Sequence, residues 1–260
     1  MRRSLAVVVL TWLIAAQVAV AAVLPGTGES EFDPLVSGGL QGRMVTLKTA
    51  SGATFKAYVS GSRDADRGIV LIHDWRGLTR GVKSWADRFA GQGYRAMAVD
   101  LYGGRVTDDP DRARRWIGAL NAKVLDAKLK AAVRAVQAPG RPLVIMGWGF
   151  GGREALRAAV RMPDAISAVV DYYGVPLHDA SELSALQGPV LGVFASRDTG
   201  VTPGQVAAFW KAMRAADQPL EIHVYAADHG FASPSSDGYD GVAAQAAWRA
   251  TVAFLQRSLQ

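Results

Sequence analysis

Apolar positions along this 260-residue chain change their spacing again and again, and each change marks an element. Val45 to Thr49 and Thr54 to Val59 flank Ala50-Ser51-Gly52-Ala53, which predicts a β-hairpin. Gly68 to His73 is a near-continuous apolar run, as in a strand buried on both faces. The period then becomes helical from Gly81 to Gly91, with Val82, Trp85, Phe89 and Ala90 on one side. The alternation continues with a strand over Tyr94 to Val99 and helices over Asp109 to Leu120 and Asp126 to Gln137. Leu143 to Gly147 reads as a central strand, and Gly152 to Arg161 as a helix stopped by Pro163. Strands follow over Ile166 to Tyr172 and Val190 to Ala195. Thr202 and Pro203 then form the cap and first turn of a helix reaching about Ala216. Leu220 to Tyr225 is the last strand and Tyr239 to Leu259 the closing helix. A hairpin followed by repeated β-α units predicts an α/β fold: a mostly parallel central sheet with an N-terminal β-hairpin and helices on both faces. Functional groups in such a sheet belong on loops beyond the carboxyl ends of the strands.

The first 40 residues do not fit that pattern. Arg2 and Arg3 precede an apolar stretch, Leu5 to Val18, broken only by Thr11 and Gln17, and Ala19-Val20-Ala21 is a small-x-small cleavage site. That is the layout of a signal peptide over residues 1–22. A membrane anchor would call for about 20 apolar residues, which this run reaches only by including both polar positions. Residues 23–40, rich in Gly, Pro, Ser and acidic groups, read as a flexible leader, and 41–260 as one domain with no internal linker or repeat. The expected location is the periplasm or outside the cell, with no stable membrane anchor after cleavage. The absence of cysteine fits an oxidising compartment and excludes disulfides, thiolate ligands and thiol chemistry. Loss of Arg2 and Arg3 takes the formal charge from +6 to +4. The densest remaining basic cluster, Arg112, Arg114 and Arg115, reads as a solvated helix face, and no nucleic-acid partner is expected.

Four strand ends carry the candidate chemistry. They are His73-Asp74-Trp75-Arg76-Gly77, Gly147-Trp148-Gly149-Phe150-Gly151-Gly152, Ser196-Arg197-Asp198-Thr199-Gly200 and Ala227-Asp228-His229-Gly230-Phe231. The second has the layout of a nucleophile elbow, a sharp strand-to-helix turn whose flanking glycines let backbones pass closely. At its tip stands Gly149, where the layout calls for a nucleophile. Elbow, Asp and His follow in the chain order of α/β-hydrolases, in which the acid orients the base.

With Asp100-Leu101-Tyr102-Gly103-Gly104-Arg105 and Asp171-Tyr172-Tyr173-Gly174, these motifs resemble the dienelactone hydrolases over about residues 45 to 258. The resemblance implies an α/β-hydrolase fold and hydrolysis of a lactone or small carboxylic ester by a Cys-His-Asp triad, without a cofactor. It makes Asp198 the triad acid, His229 the base, and the backbone N–H groups of Phe150 and Trp75 the oxyanion hole. It places Asp74 beside the resting nucleophile and Arg105 near a substrate carboxylate. Gly149 stands where the family has Cys. From their loop positions, Trp148 and Tyr172 are expected as pocket walls. His73 reads as a hydrogen-bonded structural group, and His178 and His223 as loop and strand-face residues. Asp100 and Asp171 read as acceptors for loop N–H groups. No histidine pair has metal-ligand spacing, and the glycine runs fit no phosphate-binding fingerprint.

Three readings of Gly149 stay open on the sequence. The chain is a pseudoenzyme that binds a small ligand in the old pocket, or His229 and Asp198 activate a water in the space left at Gly149. In the third, a Cys-bearing hydrolase lies one base change away.

Overall fold

Residues 39–259 are described by the computed structural model, so the expected signal peptide and all but the end of the leader lie outside the described residues. Eight strands form one sheet: β1 (Arg43–Lys48), β2 (Thr54–Ser60), β3 (Arg67–Ile72), β4 (Tyr94–Val99), β5 (Leu143–Trp148), β6 (Ala168–Tyr172), β7 (Val190–Ala195) and β8 (Leu220–Tyr225). Their order across the sheet is β1-β2-β4-β3-β5-β6-β7-β8. The hairpin β1–β2 joins antiparallel to β4, and every later pair is parallel.

The helices are α1 (Arg80–Gly91), α2 (Pro110–Gly118), α3 (Ala122–Val136), α4 (Phe150–Arg161), α5 (Ala180–Leu183), α6 (Pro203–Ala215) and α7 (Gly241–Ser258). Successive residues of a strand point to opposite faces, so each buried strand feeds two cores. Ile69, Leu71, Val144 and Met146 pack with Trp85 and Phe89 of α1 and with Ala244 and Phe254 of α7. Val70, Ile72, Ile145 and Val169 pack with Leu129 of α3, Leu156 of α4 and Phe209 of α6. The central strands are therefore apolar at nearly every position, as their sequence requires.

Several boundaries shift from the sequence reading, most by a residue or two, and two shifts have a clear cause or consequence. The α3 helix starts at Ala122, a turn earlier than Asp126, because the Asn121 side chain accepts hydrogen bonds from the N–H groups of Lys123 and Val124. The α4 helix starts at Phe150, two residues before Gly152, which puts the Phe150 N–H at the open amino end of a helix. The short α5, capped by Asp179, was not foreseen. Because β3 through β8 run parallel, the loops after β3, β5, β7 and β8 all open at one edge of the sheet.

Candidate active site

The tip of the β5–α4 turn is Gly149, with φ +53° and ψ −113°. This is left-handed backbone, open to glycine and strained for any other residue. The turn is held through its main chain: the Gly149 N–H donates to the Tyr172 carbonyl (2.8 Å), and its carbonyl accepts from the Arg153 N–H (3.2 Å). A Cβ on Gly147 would overlap the Gly151 backbone, and one on Gly151 would overlap the Ile72 carbonyl. These glycines are therefore a condition for the turn. A Cβ built at Gly149 meets only His229 Nε2, at 3.7 Å.

His229 is aimed there by Asp198. Its Nδ1 donates to Asp198 Oδ2 at 2.7 Å, which leaves the Nε2 lone pair facing the turn. The Asp198 side chain is fully buried, and its other oxygen accepts from the N–H groups of Gly200 (2.7 Å) and Val201 (2.9 Å). The acid is thus fixed by its own loop, while the His229 side chain is 42% exposed and reachable. Neither the Phe150 N–H nor the Trp75 N–H donates to an acceptor among the described residues. Both remain available to an oxygen, as an oxyanion hole requires.

The carboxyl of Asp74 lies in the loop after β3. One of its oxygens accepts from the Arg76 N–H (2.8 Å). Burial pushes its pKa up, against the opposing pull of the Arg76 amide, the Arg76 guanidinium and His229. Arg76 stacks on the Trp75 ring at 4.1 Å and lies 3.5 Å from Asp108. The Tyr173 ring sits 5.0 Å from that of His229, on a backbone with φ +41°.

The Dienelactone hydrolase family matches this chain over residues 55–259. The chain belongs to that family. It is 28% identical over 230 residues to "Protein usf" of Aquifex pyrophilus, covering 84% of this chain and 99% of that one. It is 24% identical over 235 residues to a putative carboxymethylenebutenolidase of Aquifex aeolicus, covering 84% of this chain and all of the other. The crystal structure of a putative dienelactone hydrolase from Klebsiella pneumoniae superposes with TM-score 0.72 at 23% identity, over 82% of this chain and 99% of that one. The architecture is therefore that of a dienelactone hydrolase, and Gly149, Asp198 and His229 converge in it as the family order implies.

Two residues expected at a ligand stand elsewhere in this dienelactone-hydrolase frame. Trp148 is not a pocket wall: it points into the α1–α7 core, 5.1 Å from the Trp85 ring. Tyr172 is likewise fully buried there, its hydroxyl hydrogen-bonded to Thr251 at 2.9 Å. Both follow strand alternation, Trp148 sharing a face with Val144 and Met146, and Tyr172 with Ala168 and Val170. Arg105 is exposed, its Nε donating to the Tyr102 carbonyl (2.8 Å) and its guanidinium lying over the Trp116 ring at 4.5 Å. The aromatic residue that reaches His229 is Tyr173, which the sequence reading passed over. Its position depends on the left-handed turn, and no local pattern announces that turn.

The remaining polar residues are structural. His73 is buried, donating from Nδ1 to the Asp74 carbonyl (2.7 Å) and accepting at Nε2 from the Leu101 N–H (3.2 Å). Asp100 accepts from the N–H groups of Tyr102 and Gly104. His223 lies on β8, paired with Glu221 at 2.7 Å. Asp171 belongs to β6 and accepts from the Gly174 N–H (2.9 Å), but its second oxygen has no partner. Among the described residues no cluster of His, Asp and Glu could hold a metal ion.

Two of these buried groups give the fold opposing pH dependences. Burial raises the Asp171 carboxyl to about 7, so the folded state holds its proton where the unfolded state has released it. Its contribution is full below pH ~4 and lost as pH rises to 7, by up to about 4 kcal/mol. Burial lowers His73 to about 4, so its contribution is full above pH ~6.5 and lost as pH falls through the same window. Asp171→Asn removes only the first. In urea titrations its stability relative to the parent should rise steadily from pH 4 to pH 7. A constant difference across that range would mean that Asp171 does not titrate there.

Proposed function

We propose that this chain is a dienelactone-hydrolase-like protein that holds a small ester, lactone or related carbonyl compound without attacking it covalently. The observation that carries this reading is Gly149: the tip of the elbow has no side chain, yet its would-be Cβ faces His229 Nε2 at 3.7 Å. Family resemblance supports a carbonyl ligand, and the free N–H groups of Phe150 and Trp75 supply its cradle. Removing the nucleophile from a comparable triad lowers kcat by roughly 10⁶-fold, leaving ~10³–10⁴ over water from binding and the oxyanion hole. Saturable binding of a small lactone, read by ligand NMR, together with p-nitrophenyl acetate turnover lacking any burst, is the expected result. A stoichiometric burst of p-nitrophenol would overturn the non-covalent reading.

A second reading has its own support. The His229–Asp198 pair is intact and oriented, and a water beside Gly149 would lie within reach of Nε2. Slow hydrolysis by that water would appear as steady turnover that His229→Ala removes.

Export is part of the proposal, supported by Arg2-Arg3, the apolar stretch Leu5 to Val18 and Ala19-Val20-Ala21. Mass spectrometry of the mature protein should find a first residue of Ala22 or Val23. An intact Met1 in membrane fractions would indicate an anchor instead.

A further inference from the structure

The sheet ends at β8 in an edge that no other strand covers among the described residues. The β6 and β7 strands are buried throughout, whereas Leu220, Ile222 and Val224 of β8 are half-exposed. On the same face α6 leaves an open apolar cavity of about 470 Å³ beside that edge, lined by Phe194, Val206, Trp210, Leu220, Ile222 and Val224. We propose that this edge is the interface of a homodimer, in which β8 pairs antiparallel with β8 of a second copy about a dyad at Ile222. The inference does not depend on what residue 149 does.

The β8 main chain is free on its outer side. The carbonyls of Pro219 and Tyr225 accept from the N–H groups of Val190 and Ser196, so the odd-numbered residues of this strand turn their main-chain groups towards β7. By alternation Leu220, Ile222 and Val224 point theirs outward, where no hydrogen bond meets them among the described residues. An uncovered edge of this kind is a template for another strand. The opposite edge differs. There β1 carries Arg43 and Lys48 at its ends, charges that discourage pairing, whereas β8 has no Lys, Arg or Pro.

The side chains select one register. A dyad perpendicular to the sheet keeps every residue on its own face, so only residues of the same face meet. With the dyad at Ile222, Ile222 meets Ile222 and Leu220 meets Val224 of the second copy. These are hydrogen-bonded pairs, and they bring apolar surface over both cavities. Glu221 then stands opposite His223 of the second copy in the closer, non-hydrogen-bonded pairing, once on each side of the dyad. Moving the dyad by one residue sets Glu221 against Glu221 or His223 against His223, and like charges directly opposite are destabilising. Within each chain Glu221 reaches His223 (2.7 Å) and Arg257 (2.8 Å), which holds its carboxylate at this edge on the α7 side of the sheet.

The chain's own leader is not placed to fill the cavity. It joins the domain beside Asp87 of α1, whose carboxylate accepts from the N–H groups of Gln41 (3.0 Å) and Gly42 (3.1 Å). Leu40 packs against the α1–α7 core and β1 follows at the other end of the sheet, so the junction lies at the far edge and on the opposite face. A small apolar molecule would occupy the cavity but make no use of the β8 main chain. A second copy engages both.

Sedimentation velocity of the full chain should show a species of twice the chain mass. Ile222→Lys sets two ammonium groups face to face at the dyad and should weaken dimer formation by at least ~10²-fold. The chain has no cysteine, so introduced thiols report the register by themselves. Under mild oxidation a mixture of the Glu221→Cys and His223→Cys proteins should form a disulfide-linked pair, and neither protein alone should do so. Only residues 221 and 223 of opposite copies come within disulfide reach in the proposed register. That measurement decides the matter even if Ile222→Lys does not fold. A parent chain that stays monomeric at every concentration, or a dimer that a folded Ile222→Lys leaves unchanged, overturns the interface. A disulfide in either single variant, or none in the mixture, overturns the pairing about Ile222. Binding of anilinonaphthalene sulfonate to the cavity of a monomeric parent assigns it to a small apolar ligand instead.

Discussion

Gly149→Cys should raise p-nitrophenyl acetate turnover by at least ~10²-fold over the parent chain. The expectation rests on distance. A Cβ at this position lies 3.7 Å from His229 Nε2 with nothing else close, so a thiol one bond further can take up hydrogen-bonding distance. His229 already has its lone pair turned that way by Asp198, and the Trp75 and Phe150 N–H groups are unspent. The gain is set below the ~10⁶ that a complete triad can supply, since one substitution restores the nucleophile alone. A burst of p-nitrophenol should accompany it, since acylation of the new thiol precedes hydrolysis. The substitution should also lower stability by about 1 kcal/mol, because φ +53° is a strained backbone for cysteine. Adding His229→Ala should remove the gain entirely. A folded Gly149→Cys protein with parental turnover would mean that the frame around the turn no longer supports acyl transfer.

The largest effect on stability should come from a residue that touches no ligand. A Cβ on Gly151 would lie 2.5 Å from the His73 carbonyl oxygen and 2.8 Å from the Ile72 carbonyl carbon. Both neighbours are backbone of the central sheet and cannot turn aside as a side chain would. Gly151→Ala should therefore cost about 3 kcal/mol or more, at the upper end of overpacking penalties. Gly91→Ala makes the control: it lies in the last turn of α1 with nothing within 4 Å of its would-be Cβ. That change should be neutral or stabilise by up to ~1 kcal/mol. Urea midpoints read both, with equal slopes showing that the denatured state is unchanged. Equal stability of the two variants would contradict the close passage of α4 over β3.

How far the sequence carries depends on what kind of signal each residue leaves. The strands Tyr94–Val99, Val190–Ala195 and Leu220–Tyr225 begin and end where the sequence pattern puts them, with Gly93, Pro189 and Pro219 bounding their starts. Gly149, Asp198 and His229 were legible because the loops of parallel strands must meet at one edge of the sheet. Trp148 and Tyr172 were misplaced because closeness to a loop in sequence was weighed above alternation. Counting by twos from Val144 and from Ala168 puts both in the α1–α7 core. Tyr173 could not be read at all, since its direction is set by a backbone turn that its own residue type disfavours. The raised Asp171 was hidden for another reason: an acid near a strand end usually finds two partners, and this one finds one.

The main-chain bonds of the elbow bear on how this family can change over time. Gly149 is gripped through its own N–H and carbonyl, and the close approaches belong to Gly147 and Gly151. The identity of residue 149 is thereby only weakly coupled to the folding of what surrounds it, by about the 1 kcal/mol that a side chain on this backbone costs. A lineage can set the reactive atom aside in a single substitution, keep a well-formed domain for as long as binding is useful, and take the atom back by the reverse step. Here the turn has its own main-chain reason to persist, whatever the chemistry at its tip.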